Sequence, residues 1–169
     1  MAIGQGEVLT TPLQLANFAA IISNKGYYFT PHIVRGIEGI DSINSAFAVP
    51  HVVSIDSSYF NVVIDGMDMA VNVSGGTATW VRHRDITICG KTGTAENPHG
   101  EDHSVFMAFA PKDDPQIAIS VYVEHGKWGS SYAAPIASLM IEKYLTDTIA
   151  PYHKWIEKRM LERNLLNVQ

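Results

Sequence analysis

The sequence predicts an α+β fold, an antiparallel sheet covered by helices. Two helical patterns with recognisable starts and stops fill the first half of the chain. Three alternating apolar runs follow between residues 85 and 124, and two further amphipathic stretches close it. Tight connections between the three runs favour antiparallel pairing, because a parallel pair needs a long crossover.

Each element has a local reason. Thr11-Pro12-Leu13 reads as an N-cap followed by proline at the first helical position. Leu15, Phe18 and Ile22 then share a face, beside Ala16, Ala19 and Ala20, and Asn24-Lys25-Gly26 supplies the stop. Residues 27–35 read as extended, with Pro31 arguing against a central strand. Residues 36–50 lack a steady period and read as a loop. Asp56-Ser57 is placed to cap a second helix, in which Phe60, Val63, Ile64, Met67 and Val71 recur at helical spacing before Gly75-Gly76.

Residues 85–94 alternate as a strand through Ile86 and Ile88 and run into Gly90 and Gly93. Strands over 104–111 and 116–124 are joined by Lys112-Asp113-Asp114-Pro115, a turn-forming run. Ser131 is placed to cap a helix with the stripe Ile136, Leu139, Met140 and Tyr144. A last amphipathic helix runs from Tyr152 to about Leu165. Three strands make a small sheet, and both outer strands present unpaired backbone unless something covers or extends them. Self-association through these edges is one expectation that follows.

Composition bounds the function. The chain has 169 residues and a net charge of −5, which argues against a general nucleic-acid footprint. The basic stretch Lys154 to Arg163 reads more simply as a solvated helix face. One cysteine, Cys89, excludes an intrachain disulfide. No apolar run approaches the ~20 residues needed to cross a bilayer, and no signal peptide opens the chain.

The most informative run is Cys89-Gly90-Lys91-Thr92-Gly93-Thr94. Lys-Thr-Gly behind a β-branched strand is one of three signatures of penicillin-recognising serine enzymes; the others are Ser-x-x-Lys, which carries the nucleophile, and Ser-x-Asn. The residues three places before the seven lysines are Ile22, Ile88, Phe109, Glu124, Met140, Pro151 and Trp155, none of them serine. Gly90-Lys91-Thr92 is not a P-loop: Asp85 stands where that loop needs a glycine, and Pro98 and Gly100 stand where it needs a helix. Ser42-Ile43-Asn44 matches Ser-x-Asn only literally. His99 and His103 cannot share a helical face across Pro98 and Gly100, so no metal site and no cofactor are expected there. Cys89 in an apolar strand reads as core rather than nucleophile. Met67, Met69 and Met140 read as core filling. For Tyr152, Trp155 and Ile156, packing on the domain and meeting a partner both stay open.

The chain resembles the C-terminal part of a class B penicillin-binding protein transpeptidase domain, most closely the penicillin-binding protein 2 branch of the elongation machinery. The resemblance rests on an ordered set of pieces: Ile3-Gly4-Gln5-Gly6-Glu7, Thr11-Pro12-Leu13-Gln14-Leu15-Ala16, Gly75-Gly76-Thr77-Ala78, Gly90 through Glu96, His103-Ser104-Val105-Phe106, Phe109-Ala110-Pro111 and Ala133-Ala134-Pro135-Ile136. It implies that residues 1–147 are the C-terminal part of that domain, carrying the last three strands of its sheet and their flanking helices. Residues 148–169 would be a helical tail.

It also implies a serine-type D,D-transpeptidase parent that cross-links peptidoglycan stem peptides through an acyl-enzyme and binds β-lactams. That parent would be anchored in the bacterial inner membrane, work in the periplasm and partner a lipid-carrier glycan polymerase. The nucleophilic serine and Ser-x-Asn would precede Ala2, leaving this stretch inert alone. Lys91 would act electrostatically, and the backbone N–H of Thr94 would form part of the oxyanion hole. Lys91, Thr92, Gly93, Thr94 and Glu96 would contact substrate. The alternative from another class is a non-catalytic binding or scaffolding module.

Overall fold

In the computed structural model, which describes residues 6, 8–34, 36–38 and 47–165, the elements run α1 (Pro12–Ser23), β1 (Tyr27–Tyr28), β2 (His51–Val52), α2 (Ser58–Asn72), β3 (Cys89–Ala95), β4 (His103–Ala110), β5 (Ile117–Val123), α3 (Ala133–Thr146) and α4 (Lys154–Leu161). The expected α+β arrangement is present. β3, β4 and β5 form one antiparallel sheet in chain order, while β1 and β2 pair separately as a two-residue ladder that the sequence did not announce. Ser42-Ile43-Asn44 and all but Gly6 of the Ile3–Glu7 motif lie outside the described residues.

The sheet is buried on both faces. α1 and α2 cover one, where Ile22, Phe60, Ile64 and Met67 meet Cys89 and Phe109. α3 covers the other, where Ala133, Ala134, Ala137 and Ile141 meet Phe106, Ala108 and Ala110. Phe106 and Phe109 are fully enclosed, and each contributes about 1.5–3 kcal/mol by leaving water.

Helix starts follow the sequence at α1 and, through Asp56, at α2, and depart from it at α3. Thr11 and Gln14 form a reciprocal capping box, and Asn24 closes the helix with Lys25 and Gly26 at positive φ. At α2 the cap is Asp56, whose carboxylate accepts from the Ser58 amide and hydroxyl; Ser57 makes no cap bond. Ser131 does not cap α3. The helix begins at Ala133, whose amide donates to the buried Ser104 hydroxyl at 3.0 Å, so a residue of β4 supplies the cap.

The helix faces also needed correction. Ala19 and Ile22 face the sheet from α1, whereas Phe18 is half exposed. Val63 and Met69 of α2 are exposed, so among the α2 methionines only Met67 fills core. The buried face of α3 is Ala133, Ala134, Ala137, Ser138, Ile141 and Glu142, not the predicted stripe. Small side chains let the helix approach the strands closely. The larger Ile136, Leu139, Met140 and Tyr144 instead line an open apolar groove of about 620 Å³ with Ile117, Ile119 and residues of α4.

β3 starts at Cys89 rather than Asp85 because side chains satisfy the intervening backbone. His83 Nδ1 accepts from the Asp85 and Ile86 amides, and Asn72 Nδ2 donates to the Ile88 carbonyl at 2.8 Å. Asn72 also donates to Asp68, which takes Lys112 of the β4–β5 connection at 2.8 Å. A polar relay therefore runs from that connection through α2 to the mouth of β3.

α4 ends at Leu161, short of the predicted 165, and follows a 3₁₀ turn over Pro151–His153. Its Ile156 is buried, and Trp155 tilts against Trp80 at 5.7 Å. Ile156 and Tyr152 thus pack on the domain, while Trp155 touches Trp80 with half its surface still exposed. Behind them lies a buried polar cluster. Glu142 accepts from the Ala150 amide and from His153 Nδ1, each at 2.7 Å, and His153 Nε2 faces the Arg82 carbonyl at 3.2 Å. A carbonyl only accepts, so His153 donates from Nε2, and its Nδ1 shares a short hydrogen bond with Glu142.

Candidate active site

β3 is an outer strand among the described residues, paired only with β4 through Gly93↔Val105 and Thr94↔Ser104. Alternation puts Lys91, Gly93 and Ala95 on the α1/α2 face and Thr92 and Thr94 on the α3 face. The strand lies flat here because Gly90 has no side chain: a Cβ would come within 2.2 Å of the Phe106 ring. Lys91 is exposed, and its ammonium donates to the Thr92 carbonyl at 2.6 Å. That contact puts the carbonyl on the open side of β3. Main-chain groups of alternate strand residues point the same way, so the Thr94 N–H also faces the open edge.

The sequence-predicted Lys91, Thr92, Gly93 and Thr94 are therefore gathered on one accessible edge. Glu96 stands exposed just past the strand, at the start of a turn organised by Asn97, whose amide donates to Asp102 at 3.1 Å. Beside Lys91 lies a recess of about 370 Å³ walled by Ser74, Gly75, Gly76 and Thr77. A second, of about 400 Å³, is lined by Leu9, Thr10, Leu15, Gly93, Thr94 and Ala95. The edge thus offers a positive charge, hydroxyls, an outward main chain and space for an extended ligand.

Three residues that sequence reasoning did not assign also touch this edge. Thr77 meets the Thr92 hydroxyl at 3.0 Å. Gly129 donates its amide to Thr94 Oγ1 at 3.4 Å, and Ser104 fixes the loop carrying Gly129 by donating to the Trp128 carbonyl at 2.8 Å. Thr77 lay within the quoted Gly-Gly-Thr-Ala run, which was a usable signal. Ser104 lay likewise within the His103-Ser104-Val105-Phe106 run, whereas Gly129 meets β3 only through loop packing, which no local pattern announces.

The competing chemistries find no support here. Cys89 is fully enclosed, and burial pushes its thiol up to about 12, far from a thiolate at neutral pH. His103 is occupied by the His125 amide, while His99 lies in the exposed 96–102 turn. A different trio, His83, Glu142 and His153, brings its ligand atoms within 4.8 Å of one another. Since His83 Nδ1 accepts two amides, its proton sits on Nε2, which faces Tyr152 at 2.9 Å and Glu142 at 3.3 Å. A protonated Nε2 is no metal ligand, so the trio is a hydrogen-bonded network.

Comparison with known proteins agrees with this geometry. Residues 1–142 match the penicillin binding protein transpeptidase domain. The peptidoglycan D,D-transpeptidase MrdA of Haemophilus influenzae is 30% identical across 92% of this chain, and the match spans 27% of that protein. Among solved structures, Pseudomonas aeruginosa penicillin-binding protein 2, in complex with WCK 5153, superposes with a TM-score of 0.75 at 35% identity, covering 86% of this chain and 31% of that one. Penicillin-binding protein A of Mycobacterium tuberculosis, as its imipenem acyl-enzyme, gives 0.71 at 32% identity, covering 86% and 33%. This chain therefore spans about a third or less of the relatives it matches. A lysine-threonine-glycine strand open at one edge, set in this fold and matched in this order, belongs to the penicillin-binding protein transpeptidase family, and so does this chain, among relatives of the penicillin-binding protein 2 type.

Proposed function

We propose that this chain forms one wall of the active site of a serine-type D,D-transpeptidase that cross-links peptidoglycan stem peptides through an acyl-enzyme. The open edge of β3 carries the reading: Lys91, Thr92 and the outward Thr94 N–H sit where an extended peptide can add as a further strand. Lys91 draws the anionic peptide terminus, and the Thr92 and Thr94 hydroxyls bind its carboxylate. Gly93 lets the ligand backbone come close, and the Thr94 N–H stabilises the tetrahedral oxyanion. Glu96 borders the cleft.

The nucleophile belongs to a Ser-x-x-Lys that this sequence does not contain, so the chain alone is inert. Residues 148–169 follow the 1–147 part as a tail whose helix is Lys154–Leu161. The whole protein works outside the cytoplasmic membrane from an inner-membrane anchor, beside a lipid-carrier glycan polymerase, and β-lactams acylate it. These features are carried over from the family. No described helix here is long and apolar enough to cross a membrane.

Intact-mass spectrometry after incubation with excess benzylpenicillin tests this. The chain is compared with a version extended upstream through the Ser-x-x-Lys segment. Only the extended form should gain one penicillin mass. Stable labelling of the short chain would point to a different nucleophile, and no labelling of either would sink the transpeptidase reading.

A second reading, a non-catalytic binding or scaffolding module, draws on two observations. Among the described residues β3 and β5 each pair on one side only, and the 620 Å³ apolar groove lies beside β5. Association through these edges predicts a concentration-dependent mass by light scattering. A constant monomer mass counts against it.

A further inference from the structure

The loop after β5 does more than connect β5 to α3. A Cβ placed on Gly129 would lie 2.4 Å from the Gly93 carbonyl oxygen, 2.8 Å from the Gly93 nitrogen and 2.5 Å from the Val105 oxygen. All three are main-chain atoms, and real Cβ contacts do not come this close. No rotamer change relieves them, so either the loop or the strand must move.

The loop is the better-held partner. Ser104, fully buried on β4, donates to the Trp128 carbonyl and receives the Ala133 amide. That carbonyl also takes the Ser131 amide, Gly129's own carbonyl takes the Ala134 amide, and the Lys127 amide reaches Asp102. Among the described residues the end of β3 has a ladder on one side only. An added methyl at 129 would therefore displace Gly93 and Thr94.

We infer that Gly129 is a positioning residue for the acylation step, its bare main chain setting where the Thr94 N–H points, with Ser104 holding the loop that carries it. This rests on the transpeptidase reading of β3. An oxyanion donor stabilises the transition state only when aimed at the position the oxygen will occupy. A displacement on the order of 1 Å costs roughly 10²-fold. Capture of the anionic peptide end by Lys91, two residues earlier, does not depend on that aim.

The test uses the upstream-extended protein and separates the noncovalent dissociation constant for benzylpenicillin from the acylation rate constant. Gly129→Ala should lower the rate constant about 10²-fold. Its dissociation constant should rise by a much smaller factor, since Lys91 and Thr92 still hold the carboxylate, and the displaced main chain should lower the melting temperature. A merely structural role predicts a lower melting temperature with wild-type acylation in the molecules that remain folded. A folded Gly129→Ala protein that acylates at the wild-type rate overturns the inference.

If Gly129→Ala does not fold, Ser104→Ala takes its place. That change adds no atoms, loosens the loop and should slow acylation by a smaller factor with the same split. A folded Ser104→Ala protein with wild-type acylation is equally fatal. Failure of the unsubstituted extended protein to label at all would instead remove the transpeptidase reading, and this inference with it. That control is read before either variant, so the two failures cannot be confused.

Discussion

Two of the molecule's polar clusters are built in opposite ways. Around Glu142 they are enclosed: His83, Tyr152, His153 and the Ala150 amide close on the carboxylate, and each ring nitrogen has a partner. Along β3 the comparable groups stand at an edge with one neighbour, and Lys91 folds back onto its own strand. A buried polar group costs stability unless it is paired, whereas an edge group can wait in water for a ligand. On the proposed function, the contrast separates a cluster that holds the fold from one that would read a substrate. Residue type alone does not separate them, since histidine and glutamate at close quarters are equally common in catalytic sites.

Removing a member of each cluster should show the difference. Glu142→Ala leaves His153 Nδ1 and the Ala150 amide buried without their partner. It should cost about 3–5 kcal/mol, the usual penalty for uncoupling a buried pair, visible as an earlier urea midpoint and faster amide exchange in 150–161. Lys91→Ala should leave the urea midpoint unchanged, because the side chain is exposed. In the extended protein it should slow penicillin acylation at low antibiotic concentration by about 10–10²-fold, the worth of one charge-assisted hydrogen bond to the antibiotic's carboxylate. If Lys91→Ala unfolds the chain while Glu142→Ala is silent, the assignment of the two clusters is reversed.

Acid should act on the enclosed cluster with a definite sign. Burial opposes ionisation of Glu142, but the Ala150 amide and the nearby histidines outweigh it and hold its carboxyl below the usual range. A carboxyl with a lowered folded-state pKa adds stability above its unfolded value, and that stability is lost as pH falls through the folded value. The melting temperature should therefore decline as pH drops below the ordinary glutamate range. Glu142→Gln should flatten that part of the profile, and an unchanged acid slope in that variant would remove Glu142 as its source. Least of all, Thr77→Val deletes one partner of the Thr92 hydroxyl and should weaken noncovalent penicillin binding by about 0.5–1.5 kcal/mol, the worth of one hydrogen bond, without moving the melting temperature.

The parts of this molecule that were legible in its sequence are those governed by near neighbours in the chain. The Thr11–Gln14 capping box, the Asn24-Lys25-Gly26 stop, the three antiparallel strands and the Lys-Thr-Gly edge all depend on residues a few positions apart. What was misread depends on distant partners. The apolar stripe of α3 looked like its buried face, yet the packed side is the alanine side, because the strands beneath admit close approach and Glu142 finds its partners 8 to 11 residues later. Ser131 looked like a cap, but the hydroxyl that serves α3 comes from Ser104, 29 residues away. Gly129 had no local signature, since what requires a glycine there is the main chain of Gly93 and Val105.

The side-chain relay from Lys112 through Asp68 and Asn72 to the Ile88 carbonyl ends one residue before the β3–β4 ladder begins at Cys89. Gly129 bears on the same strand near its far end. β3 is thus moored at both ends by groups outside the sheet. A slip of one residue would exchange the faces occupied by Lys91 and Thr92, and both moorings resist it. If the proposed function holds, a peptide zipping onto the open side would find a template of fixed phase, and the depth at which its carboxylate comes to rest would be decided before it arrives.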